Sequence, residues 1–68
     1  MLEDPSNFNA YFNIGILYYR NNLFDEAIRA FKKVIEINPD DSEAYYNIGN
    51  IFNKKKLYDE AIAAYKNA

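Results

Sequence analysis

The amino-acid sequence predicts an all-α fold of two antiparallel helix hairpins that stack on each other. Three observations support this prediction: the chain repeats itself at an offset of 34 residues, apolar residues recur at helical spacing, and the links between apolar segments are short. Helices joined by such short links must run antiparallel to their neighbours. We expect four helices, at about residues 8–21, 24–37, 42–55 and 58–68.

The internal repeat defines the domain organisation. Of the thirty residue pairs that the offset of 34 brings together from Pro5 onward, thirteen are identical, and four more exchange one aromatic residue for another. Agreement of this extent at one offset indicates two copies of one structural unit. We predict a first repeat at residues 8–41 and a second at residues 42–68, truncated within its second helix. Residues 1–7 are interpreted as a lead-in that resembles the tail of a preceding repeat.

The first helix is predicted from apolar residues that step by three and four and so form one core stripe: Ala10, Tyr11, Ile14, Leu17 and Tyr18. Pro5 is expected to break the chain before this helix. Ser6 or Asn7 can then cap it, because a side-chain oxygen accepts hydrogen bonds from the free amides of the first turn.

The other three helices follow from the same signals. The second has a stripe at the same spacing, made of Ala27, Ala30, Phe31, Val34 and Ile35. The third follows Pro39 and is capped by Asp40, Asp41 or Ser42. Acidic pairs begin the second and fourth helices, where the helix dipole favours negative charge; these pairs are Asp25-Glu26 and Asp59-Glu60.

The composition excludes most catalytic chemistry. The chain has no His, Cys or Thr, and its only aliphatic hydroxyls are Ser6 and Ser42. A His-based triad, a thiolate nucleophile and a zinc site are therefore excluded, and we expect no enzyme activity, no cofactor and no metal. The net charge of -2 offers no footprint for a polyanion, so we expect no nucleic-acid partner. The lysine run at residues 54–56 is interpreted as complementing the negative end of a helix.

The sequence also argues against membrane insertion and secretion. The longest apolar run, at residues 14–19, is far shorter than the roughly 18 residues needed to span a bilayer. The N-terminus opens with Leu2-Glu3-Asp4, whereas a secretory signal needs a basic segment there. We therefore expect a cytoplasmic protein with no membrane partner.

Each repeat contains a recognisable motif. Tyr11-x2-Ile14-Gly15-x2-Tyr18, followed by Ala27-x3-Phe31 and Pro39, resembles the tetratricopeptide repeat (TPR), with Tyr in place of the usual Trp. The second unit repeats the motif as Tyr45-x2-Ile48-Gly49-x2-Phe52, followed by Ala61-x3-Tyr65. The resemblance covers nearly the whole chain, and it implies an α-solenoid with a right-handed superhelical turn that binds other proteins.

The turns within the hairpins depart from the TPR pattern. TPR units usually turn between their helices through Gly, but the corresponding residues here are Asn22 and Lys56. Asn tolerates a left-handed backbone, whereas Lys loses about 1–2 kcal/mol in that conformation. We therefore expect the second turn to be looser or differently shaped.

The two glycines are expected to be structural. Gly15 and Gly49 lie inside predicted helices, where glycine costs about 1 kcal/mol relative to alanine. We expect Ala27 and Ala61 to compensate, because two small residues that face each other let helix backbones approach closely. With Pro39, these are the predicted structural residues.

The first helix carries a second apolar row beside its core stripe, formed by Phe12, Ile16 and Tyr19. The TPR resemblance implies that the first helix of each pair lines a concave surface. We therefore predict a peptide-binding groove, with room for roughly six to eight extended residues, and its residues are Asn9, Phe12, Asn13, Ile16, Tyr19, Arg20, Tyr46, Asn47, Asn50, Asn53 and Lys54. Alternatively, Phe12 and Ile16 only pack against a preceding repeat that is missing here or against a second, symmetry-related molecule.

The chemistry of this groove suits a protein ligand. Asparagine offers both donors and an acceptor to the backbone of an extended peptide, and the apolar row accepts an apolar anchor. The function predicted from the sequence is therefore a non-catalytic protein-interaction module that binds an extended peptide or a partner helix.

Self-association is the alternative hypothesis. The fourth helix is expected to present an apolar face that a following repeat would cover, formed by Ala61, Ile62, Ala64, Tyr65 and Ala68. Stacking of copies end to end, or exchange of helices between them, would bury this face in a homo-oligomer. The chain would then be a structural repeat, such as an excised or engineered repeat fragment.

Overall fold

The computed structural model describes the backbone of residues 5–68 and the side chains of residues 9–68. Within this part it contains four α-helices and no strand: α1 (Pro5–Arg20), α2 (Phe24–Ile37), α3 (Ser42–Lys54) and α4 (Tyr58–Asn67). α1 packs against α2, α3 packs against α4, and α2 joins the two hairpins by packing against α3. The predicted all-α fold of two stacked helix hairpins is confirmed.

α1 begins earlier than the sequence indicated, at Pro5. Proline does not break the chain here, because at the first position of a helix its fixed φ is helical and its missing N–H would have no intrahelical acceptor. Ser6 and Asn7 therefore lie inside α1, and the expectation that they cap it is wrong. Residues 1–4 of the predicted lead-in lie outside the described residues.

α3 begins after Pro39, as predicted. Asn38 is extended, with φ -135° and ψ 90°, because a following proline disfavours helical backbone at the residue before it. Asp41 is the N-cap, and its carboxylate oxygen accepts a hydrogen bond of 2.8 Å from the N–H of Ala44. Of the three candidate caps, Asp41 performs this role.

The turns that close the two hairpins have the same shape. Asn22 and Lys56 both adopt a left-handed backbone, with φ of 63° and 64°. In each turn the next residue donates its N–H to the carbonyl five residues earlier, at 2.9 Å from Leu23 and 2.8 Å from Leu57. The expectation of a looser second turn is therefore wrong. These hydrogen bonds hold Lys56 in a conformation that a β-carbon disfavours.

The core lies at the centre of the stack. Its largest fully buried side chains are Phe31 and Val34 of α2 and Ile51 of α3. Ala44 and Ile48 of α3 are buried in the same cluster as these α2 residues. The packing of α2 on α3 therefore buries residues from both repeats.

The apolar residues of α1 that correspond to Ile48 and Ile51 of α3 are exposed to solvent. Ile14 is 40% exposed and Leu17 is 56% exposed, whereas their counterparts Ile48 and Ile51 are 5% and 0% exposed. The expectation that Ile14 and Leu17 belong to the core is therefore wrong. The physical reason is that α2 lies against α3, while the described residues place no comparable helix against this row of α1.

Aromatic rings lie directly against the two helical glycines. A Cβ atom on Gly15 would stand 2.8–3.0 Å from three atoms of the Phe31 ring, and one on Gly49 would stand 2.6–3.1 Å from the Tyr65 ring. These distances are too short for ordinary van der Waals contact. Glycine is therefore required at both positions for the helices of each hairpin to reach their observed separation.

The observed contacts differ from the expectation that Ala27 and Ala61 are the residues that face the glycines. Ala27 and Ala61 lie one turn before the two rings, and both are buried. The atoms nearest to each glycine's missing side chain nevertheless all belong to the ring of the aromatic residue. In each hairpin it is therefore the aromatic ring, and not the alanine, that leaves no room for a side chain at the glycine position.

The left-handed turn leads to a stability prediction. We expect Lys56→Gly to raise the free energy of unfolding by about 0.5–1 kcal/mol, because glycine removes the steric cost of a positive φ but adds entropy to the unfolded chain. Urea denaturation followed by circular dichroism measures this change. Lys54→Gly is the control, since it removes the same charge from a helical position and should lower stability.

The contact between glycine and ring leads to a second prediction. Gly15→Ala improves helix propensity by about 1 kcal/mol, but it forces a methyl group against a fully buried ring, which costs about 1–3 kcal/mol. We expect a net loss of about 1 kcal/mol in thermal or urea unfolding. In a Phe31→Leu background the same substitution should become stabilising, since only the propensity gain remains. An equal loss in both backgrounds would contradict this packing.

Candidate functional site

The predicted groove residues lie on one side of the first helix of each hairpin. Along α1 they are three or four residues apart, as are Asn9, Asn13, Ile16 and Arg20, so they share one side of the helix. α3 presents the equivalent positions of the second repeat, and all eleven side chains are exposed or half-buried. We call this surface the α1–α3 face; it consists of Asn9, Phe12, Asn13, Ile16, Tyr19, Arg20, Tyr46, Asn47, Asn50, Asn53 and Lys54.

The apolar residues of α1 belong partly to the core. The ring of Phe12 meets Phe31 edge-on, with 5.4 Å between ring centroids, and Tyr19 lies 6.0 Å from Phe24. Ile16 also packs against the core cluster, and all three predicted anchors are half-buried. The interpretation of this row as a free apolar wall is therefore corrected, since only the outer part of each side chain is open to a ligand.

The α3 half of the face has a different chemistry. Tyr46 is 56% exposed, and its ring lies 5.8 Å from that of Tyr65. The hydroxyl of Tyr65 donates a hydrogen bond of 2.5 Å to the side-chain oxygen of Asn50. The same positions in the first repeat hold Phe31 and Ile16, which have no polar group. A hydrogen bond in one repeat therefore replaces an apolar pair in the other.

Two asparagines on α3 each have one side-chain group that forms no hydrogen bond with the residues that the structure describes. Asn47 donates its amide nitrogen to the backbone carbonyl of Glu43, at 2.9 Å, so its side-chain oxygen remains an acceptor. Asn50 accepts from Tyr65, so its amide nitrogen remains a donor. The two side chains are one helical turn apart on the half-buried part of the face.

The lysine run divides into residues with different roles. Lys55 lies after the end of α3, and its ammonium group is 2.6 Å from the carboxylate of Asp25 at the start of α2. The hydrogen bond and charge of Lys55, aided by the charge of Arg29, lower the pKa of Asp25. Lys54 is exposed at the edge of the α1–α3 face, at the position equivalent to Arg20. The run therefore supplies one ion pair between the hairpins and, at the predicted site, a lysine that forms no ion pair with the other residues that the structure describes.

The structure corrects the predicted self-association face. Ala61 and Ala64 are buried, and the ring of Tyr65 is engaged by Gly49 and the hydrogen bond described above. These three residues hold α4 in the fold and do not form an open surface. Of the five predicted residues, only Ile62 and Ala68 are exposed.

Sequence reasoning missed two exposed surfaces. The first is the row of Ile14 and Leu17 on α1, whose spacing looks the same as that of its buried counterpart on α3. The second is Tyr58, which is 56% exposed beside Ile62 on α4. Both surfaces could have been identified by asking, for each apolar residue, whether the residues that cover its counterpart in the other repeat are also present.

Metal and membrane sites can be assessed for the same part of the chain. Residues 9–68 bring together no group of acidic side chains that could hold a metal ion. None of the four helices described above combines the length and the apolar character that crossing a bilayer requires.

Comparison with known proteins identifies one family. A sequence model described as the tetratricopeptide repeat matches residues 3–42 and, in a second overlapping match, residues 12–68. A search of curated proteins finds no match.

The ion pair between Lys55 and Asp25 leads to a prediction of pH dependence. Because the folded protein lowers the pKa of Asp25, the ion pair stabilises the fold above the pKa of the unfolded chain. We expect the difference in unfolding free energy between the wild type and Asp25→Asn to be full above about pH 5. It should shrink as the pH falls through about 3.9 towards the lower pKa of the folded state.

Asp59→Asn is the matched control, because Asp59 occupies the same first-turn position in α4. It removes the same charge and the same interaction with a helix dipole, but the ion pairs of the described residues do not include it. Equal losses from the two substitutions in urea denaturation at pH 7 would show that Lys55 contributes nothing.

Proposed function

This chain belongs to the tetratricopeptide repeat family, and we propose that it is a non-catalytic interaction module that binds an extended peptide or a partner helix on the α1–α3 face. Repeats of this family generally mediate protein–protein interactions. The ligand would cross from the apolar half of the face on α1 to the amide-rich half on α3. Binding there would use side chains that the fold leaves exposed or half-buried.

The observation that carries this proposal is the pair of half-satisfied asparagines on α3. Asn47 retains an acceptor and Asn50 retains a donor, because internal hydrogen bonds already use their other groups. A peptide backbone offers an N–H and a C=O at each residue, and it therefore matches such a pair whatever its sequence. The internal bonds also hold both side chains in place, which reduces the entropy lost on binding.

The aromatic residues supply the expected source of affinity. Tyr46 exposes more than half of its surface, and its ring lies 5.8 Å from that of Tyr65. Tyrosine is one of the residue types that are enriched among the interface residues that dominate binding energy. On α1, the outer edges of Phe12 and Ile16 offer a shallower apolar contact for a side chain of the ligand.

Self-association is a second candidate, supported by Ile62. Ile62 is 53% exposed, whereas Ile28, its counterpart in α2, is 9% exposed where α2 packs in the stack. Together with Tyr58, it forms a small apolar patch on α4 that a second molecule could cover. Sedimentation equilibrium over a range of concentrations tests this candidate, and a monomer at every concentration excludes it.

Peptide binding tests the proposed function. We expect the protein to select peptides from an array of random eight-residue sequences, and Tyr46→Ala to weaken the tightest of them by at least about fivefold, or 1 kcal/mol. Asn47→Ala should weaken all of them by similar factors, because it removes a contact with the peptide backbone. Fluorescence anisotropy with the labelled peptides measures both effects.

Tyr58→Ala is the matched control, because Tyr58 is 56% exposed, as Tyr46 is, but lies on α4. It should leave peptide affinity unchanged. If the two tyrosine variants weaken binding equally, the peptides do not bind on the α1–α3 face. The double substitution of Phe12 and Ile16 by alanine is a poorer test, since both side chains also pack against the core.

A further inference from the structure

A groove lies on the side of the stack opposite to the α1–α3 face. α2 and α4 form its two walls, and α3, which packs against both of these helices, forms its floor. The floor residues are Tyr45, Ile48 and Phe52. Helical spacing places them on the opposite side of α3 from Tyr46 and Asn50 of the α1–α3 face. We call this site the inter-repeat groove, and its volume is about 370 Å³.

Stacking of repeats does not fill this groove. It lies between the two hairpins of this chain, so a helix is present on each side of it. α4 contributes Ala63 and Asn67 to the wall, and the equivalent residues of α2 are Arg29 and Lys33. Arg29 and Lys33 are exposed, although α2 packs against a helix of each hairpin. The corresponding side of α4 is therefore not a surface that a neighbouring repeat would cover.

The bottom of the groove is apolar, and its wall on α4 is low. Ile48 is 5% exposed, and the lining residues Ile35, Tyr45 and Phe52 are half-buried. Ala63 has no long side chain whose stem could cover this floor. The volume is at the lower end of the range for ligand pockets, so it suits one bulky side chain better than a cofactor. The two rings of the floor favour an aromatic side chain, because aromatic rings pack well against one another.

Two opposite charges stand at the rim of the groove. Lys32 lies on the α2 wall and Glu60 on the α4 wall, and both are exposed. Neither forms an ion pair with the other residues that the structure describes. Glu36, one helical turn after Lys32, pairs with Lys33 at 3.7 Å. A ligand that carries an acidic group towards α2 and a basic group towards α4 therefore complements this rim.

We propose that the inter-repeat groove binds a segment of a partner protein in which one aromatic residue stands between an acidic residue and a basic residue. The aromatic ring enters the groove and packs on Ile48, Tyr45 and Phe52. The acidic residue faces Lys32, and the basic residue faces Glu60. The site is independent of the α1–α3 face, so the protein can hold one ligand on each side.

Three sets of synthetic peptides with blocked ends test this proposal. The first set has a central Phe, an Asp at one end and a Lys at the other, with one, two or three alanines on each side of the Phe. The second set replaces Asp and Lys by Asn and Gln, and the third replaces Phe by Ala. They are titrated into the isotopically labelled full chain at low salt, and nuclear magnetic resonance reports binding up to millimolar dissociation constants.

We expect the first set to shift the resonances of Ile48, Ala63 and Ala64. Its tightest member should bind about fivefold more tightly than its counterpart in the second set, and this preference should disappear in 1 M salt. The third set should shift none of these resonances. The preference should also disappear in the double substitution Lys32→Gln and Glu60→Gln, whose exposed positions leave the fold intact.

Ala63→Arg gives the α4 wall the residue that the first repeat has at this position. It should weaken the tightest peptide at least about fivefold, because the arginine stem covers the floor. Ala10→Arg is the matched control, since it makes the same substitution at an exposed helical alanine that does not line the groove. Ala10→Arg and Tyr46→Ala should leave the affinity unchanged, and the second of these separates the site from the α1–α3 face.

Several outcomes overturn the proposal. Equal losses from Ala63→Arg and Ala10→Arg show that the peptides bind elsewhere. Equal affinity of the first and second sets at low salt shows that the rim charges do not select the ligand. The absence of shifts at millimolar peptide for every spacing shows that the groove accepts no aromatic anchor. Concentration-dependent shifts of Ile48 without peptide identify a second copy of the chain as the occupant.

Discussion

The contact between an aromatic ring and a helical glycine determines how each hairpin closes. Phe31 lies against Gly15 and Tyr65 against Gly49, in places where one methyl group would not fit. Because ring and glycine come from different helices, the contact sets the distance between those helices. It also links the interior to the α1–α3 face, since Phe12 packs edge-on against Phe31 and the hydroxyl of Tyr65 binds an asparagine on that face.

The local structure of this chain could be predicted from the sequence because its signals are local. Apolar spacing, Asp41 as a cap and the position of Pro39 act within a few residues of one another, and the helices they predict are found. Pro5 was misinterpreted because proline both breaks helices and begins them, and the residues after it do not distinguish the two cases. Lys56 was misinterpreted because an unfavourable residue does not change a turn that backbone hydrogen bonds define.

The candidate site was predicted less completely, because its details depend on contacts between helices. Helical spacing places the groove residues on one side of α1 and α3, and their side chains are open there to different degrees. Spacing cannot show that Asn50 binds Tyr65 fifteen positions away, or that Lys55 pairs with Asp25 thirty positions away. It also cannot separate Ile14 from Ile48, since identical residues at identical spacing differ in burial only through what packs against them.

Comparison of the two repeats distinguishes the residues that packing keeps identical from the residues that are free to differ. The glycines and the alanines one turn before the rings are identical in both repeats, and all of them are buried. Several exchanges that alter charge or polarity involve exposed or half-buried side chains, among them Ile16/Asn50, Tyr19/Asn53, Arg29/Ala63 and Lys33/Asn67. A close-packed interior penalises a change of volume at any position, whereas a solvated side chain can change with little loss of stability. One hairpin design can therefore present different side-chain chemistry in its two copies.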